Sequence, residues 1–204
     1  MIYLISGAPR CGKTILSKKI TVSQRIPLLS TDSISPIIVK YIPKSQLKKK
    51  MPSEFSKGSE YISSRRSLEI DIIEARTMWS GIKALIKELD SSKQDYIIEG
   101  VHLLPKLVMQ LKKEKYWKNI KSIYLIKKDP YKIIKGFCIN KGDFDWVRRC
   151  LSDKHKIQNI AEMVKLKSLY FEKEAKKYKL KIINTERNFT SQLNLARKFL
   201  IKSK

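Results

Sequence analysis

The chain has 204 residues and a formal net charge of +25, from 44 Lys and Arg against 19 Asp and Glu. Its length allows a sizeable buried core, and no apolar run approaches the roughly 20 residues of a membrane-spanning helix. Three cysteines without metal-ligand spacing are typical of reduced thiols, so we expect a cytoplasmic protein without a disulfide framework. The lysine excess is spread over nearly every predicted helix, which favours composition bias over a dedicated nucleic-acid surface.

The first predicted strand, 1–6, and the first predicted helix, 12–22, enclose a glycine motif. The motif is Gly7-Ala8-Pro9-Arg10-Cys11-Gly12-Lys13-Thr14. It fits G-x-x-x-x-G-K-[ST], the Walker-A pattern, and strand, loop and helix in this order predict a phosphate-binding loop for ATP. In this pattern Lys13 contacts the β- and γ-phosphates, and the Thr14 hydroxyl holds Mg²⁺.

Two residues inside the motif are open to more than one interpretation. Arg10 points either to the phosphates or to solvent, and Cys11 is better explained as a small filler than as a nucleophile, because no His or Asp pattern would activate it. Since the motif begins at the seventh residue, we expect no signal or transit peptide.

The second predicted strand, 27–31, is followed by Asp32 and a predicted helix over 33–41. A carboxylate at the end of this strand faces the γ-phosphate, where it can orient or deprotonate an acceptor hydroxyl. The alternative is that Asp32 is a helix N-cap, which would contribute about 1 kcal/mol to stability. Beside a phosphate loop we favour the role in acceptor binding and catalysis.

The next stretch, 42–60, contains two prolines, a glycine and the run Lys48-Lys49-Lys50. Its composition predicts an irregular, mobile loop on the acceptor side of the site. A long helix is predicted from about 64 to 90, and it begins with Arg65 and Arg66. Two adjacent arginines can bind an anionic acceptor with bidentate hydrogen bonds, or they can belong to a solvated helix face.

The third predicted strand, 95–100, carries Glu99 near its end and is followed by His102 and a predicted helix over 105–115. An acid delivered by an apolar strand beside a phosphate loop has the Walker-B arrangement, so Glu99 is predicted to serve Mg²⁺. The alternative is that Glu99 forms a structural ion pair with a nearby lysine. His102 either contacts the substrate or caps the following helix.

The last predicted strands are 121–127 and 180–184, and the last predicted helices are 130–138, about 146–177 and 188–202. Short β-rich runs alternating with helices are typical of a parallel sheet covered on both faces. We therefore predict one domain, 1–204, with a three-layer α/β fold around a five-stranded parallel sheet. Ligands of such folds lie at the carboxyl ends of the strands.

The glycine motif, the Thr31-Asp32 pair and the stretch Glu99-Gly100-Val101-His102 resemble those of small-molecule P-loop kinases of the nucleoside-monophosphate-kinase type. Within that group the chain is most similar to 2-phosphoglycerate kinase-like proteins. The resemblance implies a helical lid at 139–154, after the fourth strand. A lid arginine, Arg148 or Arg149, would then neutralise charge on the transferred phosphate.

The sequence thus predicts an ATP- and Mg²⁺-dependent phosphotransferase whose acceptor is a hydroxyl of a small, anionic metabolite. Two alternatives remain open. A 5′-hydroxyl polynucleotide kinase would use a similar loop and would benefit from the +25 charge. A regulatory protein would bind nucleotide without transferring phosphate, and it would not need both Asp32 and Glu99.

Overall fold

The computed structural model describes residues 1–56, 62–139 and 152–201. Five strands form one sheet in the order β2-β3-β1-β4-β5, with all neighbours parallel. The strands are β1 (Ile2–Gly7), β2 (Leu28–Ser30), β3 (Tyr96–Glu99), β4 (Ile120–Ile126) and β5 (Lys181–Asn184). The prediction of a five-stranded parallel sheet with helices on both faces is confirmed.

The helices in the described part of the chain fill the intervals between the strands. They are α1 (Lys13–Gln24), α2 (Thr31–Tyr41), α3 (Lys44–Lys50), α4 (Ser64–Ser91), α5 (Pro105–Val108), α6 (Pro130–Ile139), α7 (Lys154–Lys177) and α8 (Phe189–Leu200). Helix α4 packs against α7, and α1 packs against α8. Within residues 1–56, 62–139 and 152–201, no helix is both long and apolar enough to cross a membrane.

The order of the strands positions the site. Strand β1 is buried along its whole length, as expected for a central parallel strand covered on both faces. In the register of the sheet, Ile5 of β1 lies opposite Glu99 of β3, and Glu99 lies opposite Ser30 of β2. The segments that follow these three strands therefore meet at one edge of the sheet.

The prediction of an irregular loop over 42–60 is wrong for most of that segment. Residues Lys44–Lys50 form α3, and a 3₁₀ turn follows at Pro52–Phe55. Met51 is fully buried, and the backbone N–H of Ser53 donates to the buried carboxylate of Glu74 at 2.7 Å. These contacts with α4 order a segment whose prolines and lysines suggested a loop. Residues 57–60 lie outside the described part.

Two predicted helices begin or end elsewhere in the structure. The helix predicted over 105–115 is short, because α5 ends at Val108 and gives way to 3₁₀ turns at Met109–Lys113 and Lys115–Asn119. Helix α7 begins at Lys154, where the Asp153 carboxylate accepts hydrogen bonds from two backbone N–H groups at 3.0 and 3.1 Å. Most of the predicted lid, including Arg148 and Arg149, lies outside the described residues.

Candidate functional site

The glycine motif forms the turn between β1 and α1, and two of its residues have backbone angles that favour glycine. Gly7 has φ 124° and Gly12 has φ 98°. A Cβ atom on Gly7 would lie 1.9 Å from the carbonyl oxygen of Leu125, and one on Gly12 would lie 2.8 Å from the ring of Phe189. The loop therefore has room for glycine alone at both positions.

The Lys13 ammonium lies within this loop. Its Nζ donates to the carbonyl oxygen of Ala8 at 2.9 Å, and the residue is 8% exposed. Pro9 and Arg10 line a cavity that lies beside the loop and is described below. The backbone N–H of Ala8 donates to the carbonyl oxygen of Leu125 at 3.2 Å, so it is not free to bind a phosphate.

Cys11 is fully buried, and its Sγ lies 3.9 Å from the hydroxyl of Ser168. Burial raises the pKa of the Cys11 thiol, which disfavours the reactive thiolate. This environment agrees with the interpretation of Cys11 as a filler. The loop is also held from the far side, because the buried Thr185 hydroxyl donates to the carbonyl of Cys11 at 3.0 Å. Sequence reasoning missed Thr185, which follows β5 and belongs to no recognisable motif.

Glu99 ends β3 and is 6% exposed. The hydroxyl of Thr14 donates to its Oε1 at 3.2 Å. Burial raises the pKa of Glu99, and the nearby charge of Asp32 adds to this, while Lys13 and the hydrogen bonds from Thr14 and Ser30 oppose it. Burial disfavours the charged form of Glu99, and a divalent cation beside it would offset that cost. The Glu99 carboxylate and the Thr14 hydroxyl can offer two oxygen ligands to such a cation.

The described residues contain no group of three or more His, Cys, Asp or Glu side chains that could hold a metal by themselves. Mg²⁺ commonly uses one or two protein oxygens and takes its other ligands from phosphates and water. Thr14 and Glu99 together fit that pattern. They could hold the cation of a Mg²⁺–nucleotide complex but would make a poor site for a free ion.

The raised pKa of Glu99 has a measurable consequence. Between the ordinary glutamate pKa and the raised one, the folded protein binds more protons than the unfolded chain, so the free energy of unfolding falls as pH rises through that window. Glu99→Gln removes this loss. In EDTA we expect the variant to have a higher Tm than the natural protein at about pH 7, with the difference shrinking toward about pH 4.

Thermal unfolding followed by circular dichroism across this pH range measures the effect. Glu69→Gln on the exposed side of α4 is the matched control, since its carboxylate is half exposed. A difference in Tm that is the same at every pH would contradict the assignment of the effect to the buried charge of Glu99.

Asp32 lies in the first turn of α2, and the alternative interpretation of it as the N-cap is wrong. The cap is Ser30, whose Oγ accepts from the backbone N–H of Asp32 at 3.2 Å. The Asp32 side chain is 76% exposed and lines the same cavity as Lys13 and Glu99. Its carboxylate is therefore available to a ligand.

His102 lies behind Asp32 and is 6% exposed. Its Nδ1 shares a hydrogen bond of 2.9 Å with the hydroxyl of Thr31 and lies 3.7 Å from Oδ1 of Asp32. The imidazole does not line the cavity. In this position His102 can orient the Thr31-Asp32 segment, and direct contact with a substrate stays a prediction.

Gly100 allows this close packing. It has φ 152°, and a Cβ atom there would lie 1.7 Å from the Thr31 hydroxyl oxygen. We expect Gly100→Ala to lower the free energy of unfolding by roughly 4 kcal/mol or more, because the added Cβ would overlap the short, branched side chain of Thr31 and the φ angle is strained for alanine.

Urea unfolding measures this loss of stability, with Gly81→Ala in α4 as the control. The nearest atom to a Cβ on Gly81 is Cδ1 of Ile38 at 3.5 Å, and alanine is favoured over glycine in a helix by about 1 kcal/mol. Equal free energies of unfolding for the two variants would show that the Thr31 side chain can move aside at little cost, which would contradict this prediction.

One cavity of about 350 Å³ brings most of the predicted site together. It is lined by Pro9, Arg10, Lys13, Thr14, Asp32, Asp71, Glu99, Gly100, Val101, Met163 and Lys167. Asp71 and Lys167 were missed by sequence reasoning, since each is one polar residue within a long amphipathic helix. A buried polar side chain on a helix facing the core is the kind of signal that could have found them.

Arg65 and Arg66, predicted to bind an anionic acceptor, do not line this cavity. Both lie in the first turn of α4, with side chains 90% and 50% exposed. They are 3.9 and 3.4 Å from the carboxylate of Glu69. The geometry agrees with the alternative of a solvated helix face.

No protein-family model and no curated protein sequence matches the chain. Solved structures do match it over nearly its whole length. A shikimate kinase from Bacteroides thetaiotaomicron superposes with a TM-score of 0.54 at 13% identity, covering 98% of both chains. A gluconokinase from Sinorhizobium meliloti 1021 gives 0.56 at 11% identity, covering 97% of this chain and 90% of its own.

A third structure, an uncharacterized protein from Eubacterium ventriosum, gives a TM-score of 0.55 at 15% identity and covers 100% of this chain and 99% of its own. At such identities the likeness concerns the fold. The chain has the fold of the P-loop kinases, as its sheet order and phosphate loop indicate. The narrower resemblance to 2-phosphoglycerate kinases stays a prediction.

Proposed function

We propose that this protein is an ATP-dependent kinase that transfers the γ-phosphate to a hydroxyl of a small molecule. The observation that carries the proposal is that Lys13, Thr14, Asp32 and Glu99 line the same cavity. Its volume of about 350 Å³ lies at the small end of the range for ligand pockets, about 300–1,000 Å³. The kinase-like fold supports the same conclusion.

On the nucleotide side, the Lys13 ammonium exchanges the Ala8 carbonyl for β- and γ-phosphate oxygens. Thr14 and Glu99 hold Mg²⁺, which when bound neutralises negative charge on the phosphates. Most of the catalysis in this class comes from positioning and charge neutralisation rather than from covalent chemistry.

On the acceptor side, Asp32 orients the hydroxyl and takes its proton. The acceptor oxygen forms a bond to the γ-phosphorus, the bond from that phosphorus to the bridging oxygen of the β-phosphate breaks, and ADP leaves. Thr31 and His102 position Asp32 through the 2.9 Å hydrogen bond behind it. From the sequence we further propose that Arg148 or Arg149 neutralises the transferred phosphate.

The test is consumption of MgATP by purified protein in the presence of a panel of small hydroxylated compounds, with products followed by ³¹P NMR. We expect acceptor-dependent formation of ADP and of a phosphate ester. Tight binding of ATP without turnover on any acceptor, or on water, would favour the alternative of a regulatory nucleotide-binding protein.

A 5′-hydroxyl polynucleotide kinase remains the second candidate, favoured by the net charge of +25 and by the exposed Lys48, Lys49 and Lys50 of α3. Salt distinguishes the two functions. Binding of a polynucleotide weakens steeply with salt because counterions are released, whereas binding of a small acceptor weakens much less. A steep salt dependence of phosphorylation on an oligonucleotide acceptor would replace the small-molecule proposal.

A further inference from the structure

A buried ion pair forms one wall of the cavity. The Lys167 ammonium of α7 lies 2.6 Å from Oδ2 of Asp71 on α4, with Lys167 only 3% exposed. Both residues line the cavity together with Asp32 and Glu99. Neither residue belongs to the phosphate loop, and both line the part of the cavity wall formed by α4 and α7.

The charges on the acceptor side favour an uncharged ligand. Arg10 and Lys13 belong to the phosphate loop, and Glu99 pairs with Thr14. The remaining charged side chains among the described lining residues are Asp32, Asp71 and Lys167. This group carries one negative charge in excess, and its one ammonium is already matched by Asp71.

An anionic acceptor would meet one of two costs at this wall. It would have to displace Asp71 from Lys167, which leaves a carboxylate unpaired in a largely buried position, or lie against two carboxylates. The arginines that would have favoured an anion, Arg65 and Arg66, do not line the cavity and lie beside Glu69 with exposed side chains. A neutral acceptor avoids both costs.

An ion pair that stays intact still has hydrogen-bonding capacity. Oδ2 of Asp71 has no hydrogen-bond partner among the described residues, so the carboxylate can accept hydrogen bonds, and the Lys167 ammonium has three N–H groups to donate. A hydroxyl both donates and accepts, so neighbouring hydroxyls on one molecule can satisfy both partners. Met163 and Val101 line the same cavity and offer apolar surface to the C–H face of such a molecule.

We propose that the phosphate acceptor is an uncharged polyhydroxylated compound, held by Asp71 and Lys167 while Asp32 receives the hydroxyl that is phosphorylated. This inference rests on the proposed kinase function and narrows its substrate class. It replaces the prediction of an anionic acceptor, which was based on the arginines at the start of α4.

The first test compares matched acceptors that differ by one carboxylate: sorbitol with gluconate, xylitol with xylonate, and glycerol with glycerate. MgATP turnover gives kcat/KM, and calorimetry with a non-hydrolysable ATP analogue gives the affinity of each compound. We expect at least a tenfold preference for a neutral member over its carboxylate. A preference for the carboxylates, or no binding of any neutral polyol, overturns the proposal.

The second test changes the pair itself. Asp71→Asn leaves Lys167 without its counter-charge, and we expect the preference for the neutral compound to fall at least tenfold, toward the carboxylate. The double variant Asp71→Asn with Lys167→Met removes both charges. It leaves no unpaired buried charge, so it should fold even if the single variant does not. For it we expect KM for the neutral acceptor to rise at least tenfold while the affinity for the ATP analogue stays unchanged.

The control is a surface pair on the same helix, Lys165 with Glu162, whose charged atoms are 3.4 Å apart. Lys165→Met with Glu162→Gln should leave acceptor preference and KM as they are. If the Asp71 and Lys167 variants behave like this control, the pair serves only the packing of α4 against α7 and the inference fails. Absence of ATP binding and turnover in the natural protein would instead refute the kinase proposal.

Discussion

We expect Lys13→Ala to lower kcat by about 10²–10³-fold, equivalent to about 2.7–4 kcal/mol of transition-state stabilisation. Lys13 is 8% exposed, and its ammonium is held against the loop by the Ala8 carbonyl, so the substitution removes a positioned cation. Charge on the transferred phosphate would then develop without its nearest cation. Steady-state kinetics and fluorescence titration with an ATP analogue measure turnover and affinity separately.

Lys18→Ala is the matched control, because Lys18 lies on the exposed face of the same helix, α1. The control should keep full activity and a similar Tm. Unchanged ATP affinity together with unchanged turnover in Lys13→Ala would remove the central claim that this loop binds the nucleotide for phosphate transfer.

For Asp32→Asn we expect a loss of kcat of about 10²–10⁴-fold, the range for removal of a positioned general base. The Tm should barely change. The Asp32 side chain is 76% exposed, and the N-cap of α2 is Ser30, so the substitution removes charge and basicity without removing a cap. Kinetics with saturating MgATP and a calorimetric melt test both statements.

Ser30→Ala is the complementary variant. It removes the Oγ that accepts from the Asp32 N–H, which costs about 1 kcal/mol and lowers the Tm by about 2–4 °C for a chain of this size. Comparison of the two Tm values thus separates the helix cap from the Asp32 carboxylate. The turnover of Ser30→Ala does not serve as a control, because Ser30 also hydrogen-bonds to Glu99. If Asp32→Asn melts several degrees lower yet turns over normally, Asp32 is a structural residue.

Local pattern was enough to predict the sheet. The apolar runs predicted all five strands with boundaries within two residues of those in the structure, whereas the helices predicted over 105–115 and from about 146 differ by more. Where local composition misled, tertiary contacts were the cause. Helix α3 forms in a lysine- and proline-rich stretch because Met51 is fully buried beside it and Ser53 donates to Glu74 of α4.

The candidate site likewise contains residues that the sequence predicted and residues that only the structure revealed. The phosphate loop is a contiguous motif whose glycines are required by local backbone geometry, so the sequence alone determined its position. Asp32 and Glu99 could also be anticipated, since each follows a strand and parallel strands end at one edge of the sheet. Their roles in catalysis stay predictions until the variants are measured.

The sequence by itself therefore determined the five strands, their parallel arrangement and the glycine loop, because apolar runs, their alternation with helices and the glycine motif are patterns that can be read along the chain. Only the tertiary structure decided which helix side chains line the rest of the cavity. Asp71 and Lys167 lie on different helices and meet only when α4 packs against α7, while Arg65 and Arg66 turn toward Glu69 and solvent. Which side chains face a cavity depends on helix packing, and that packing brings together residues that no local pattern relates.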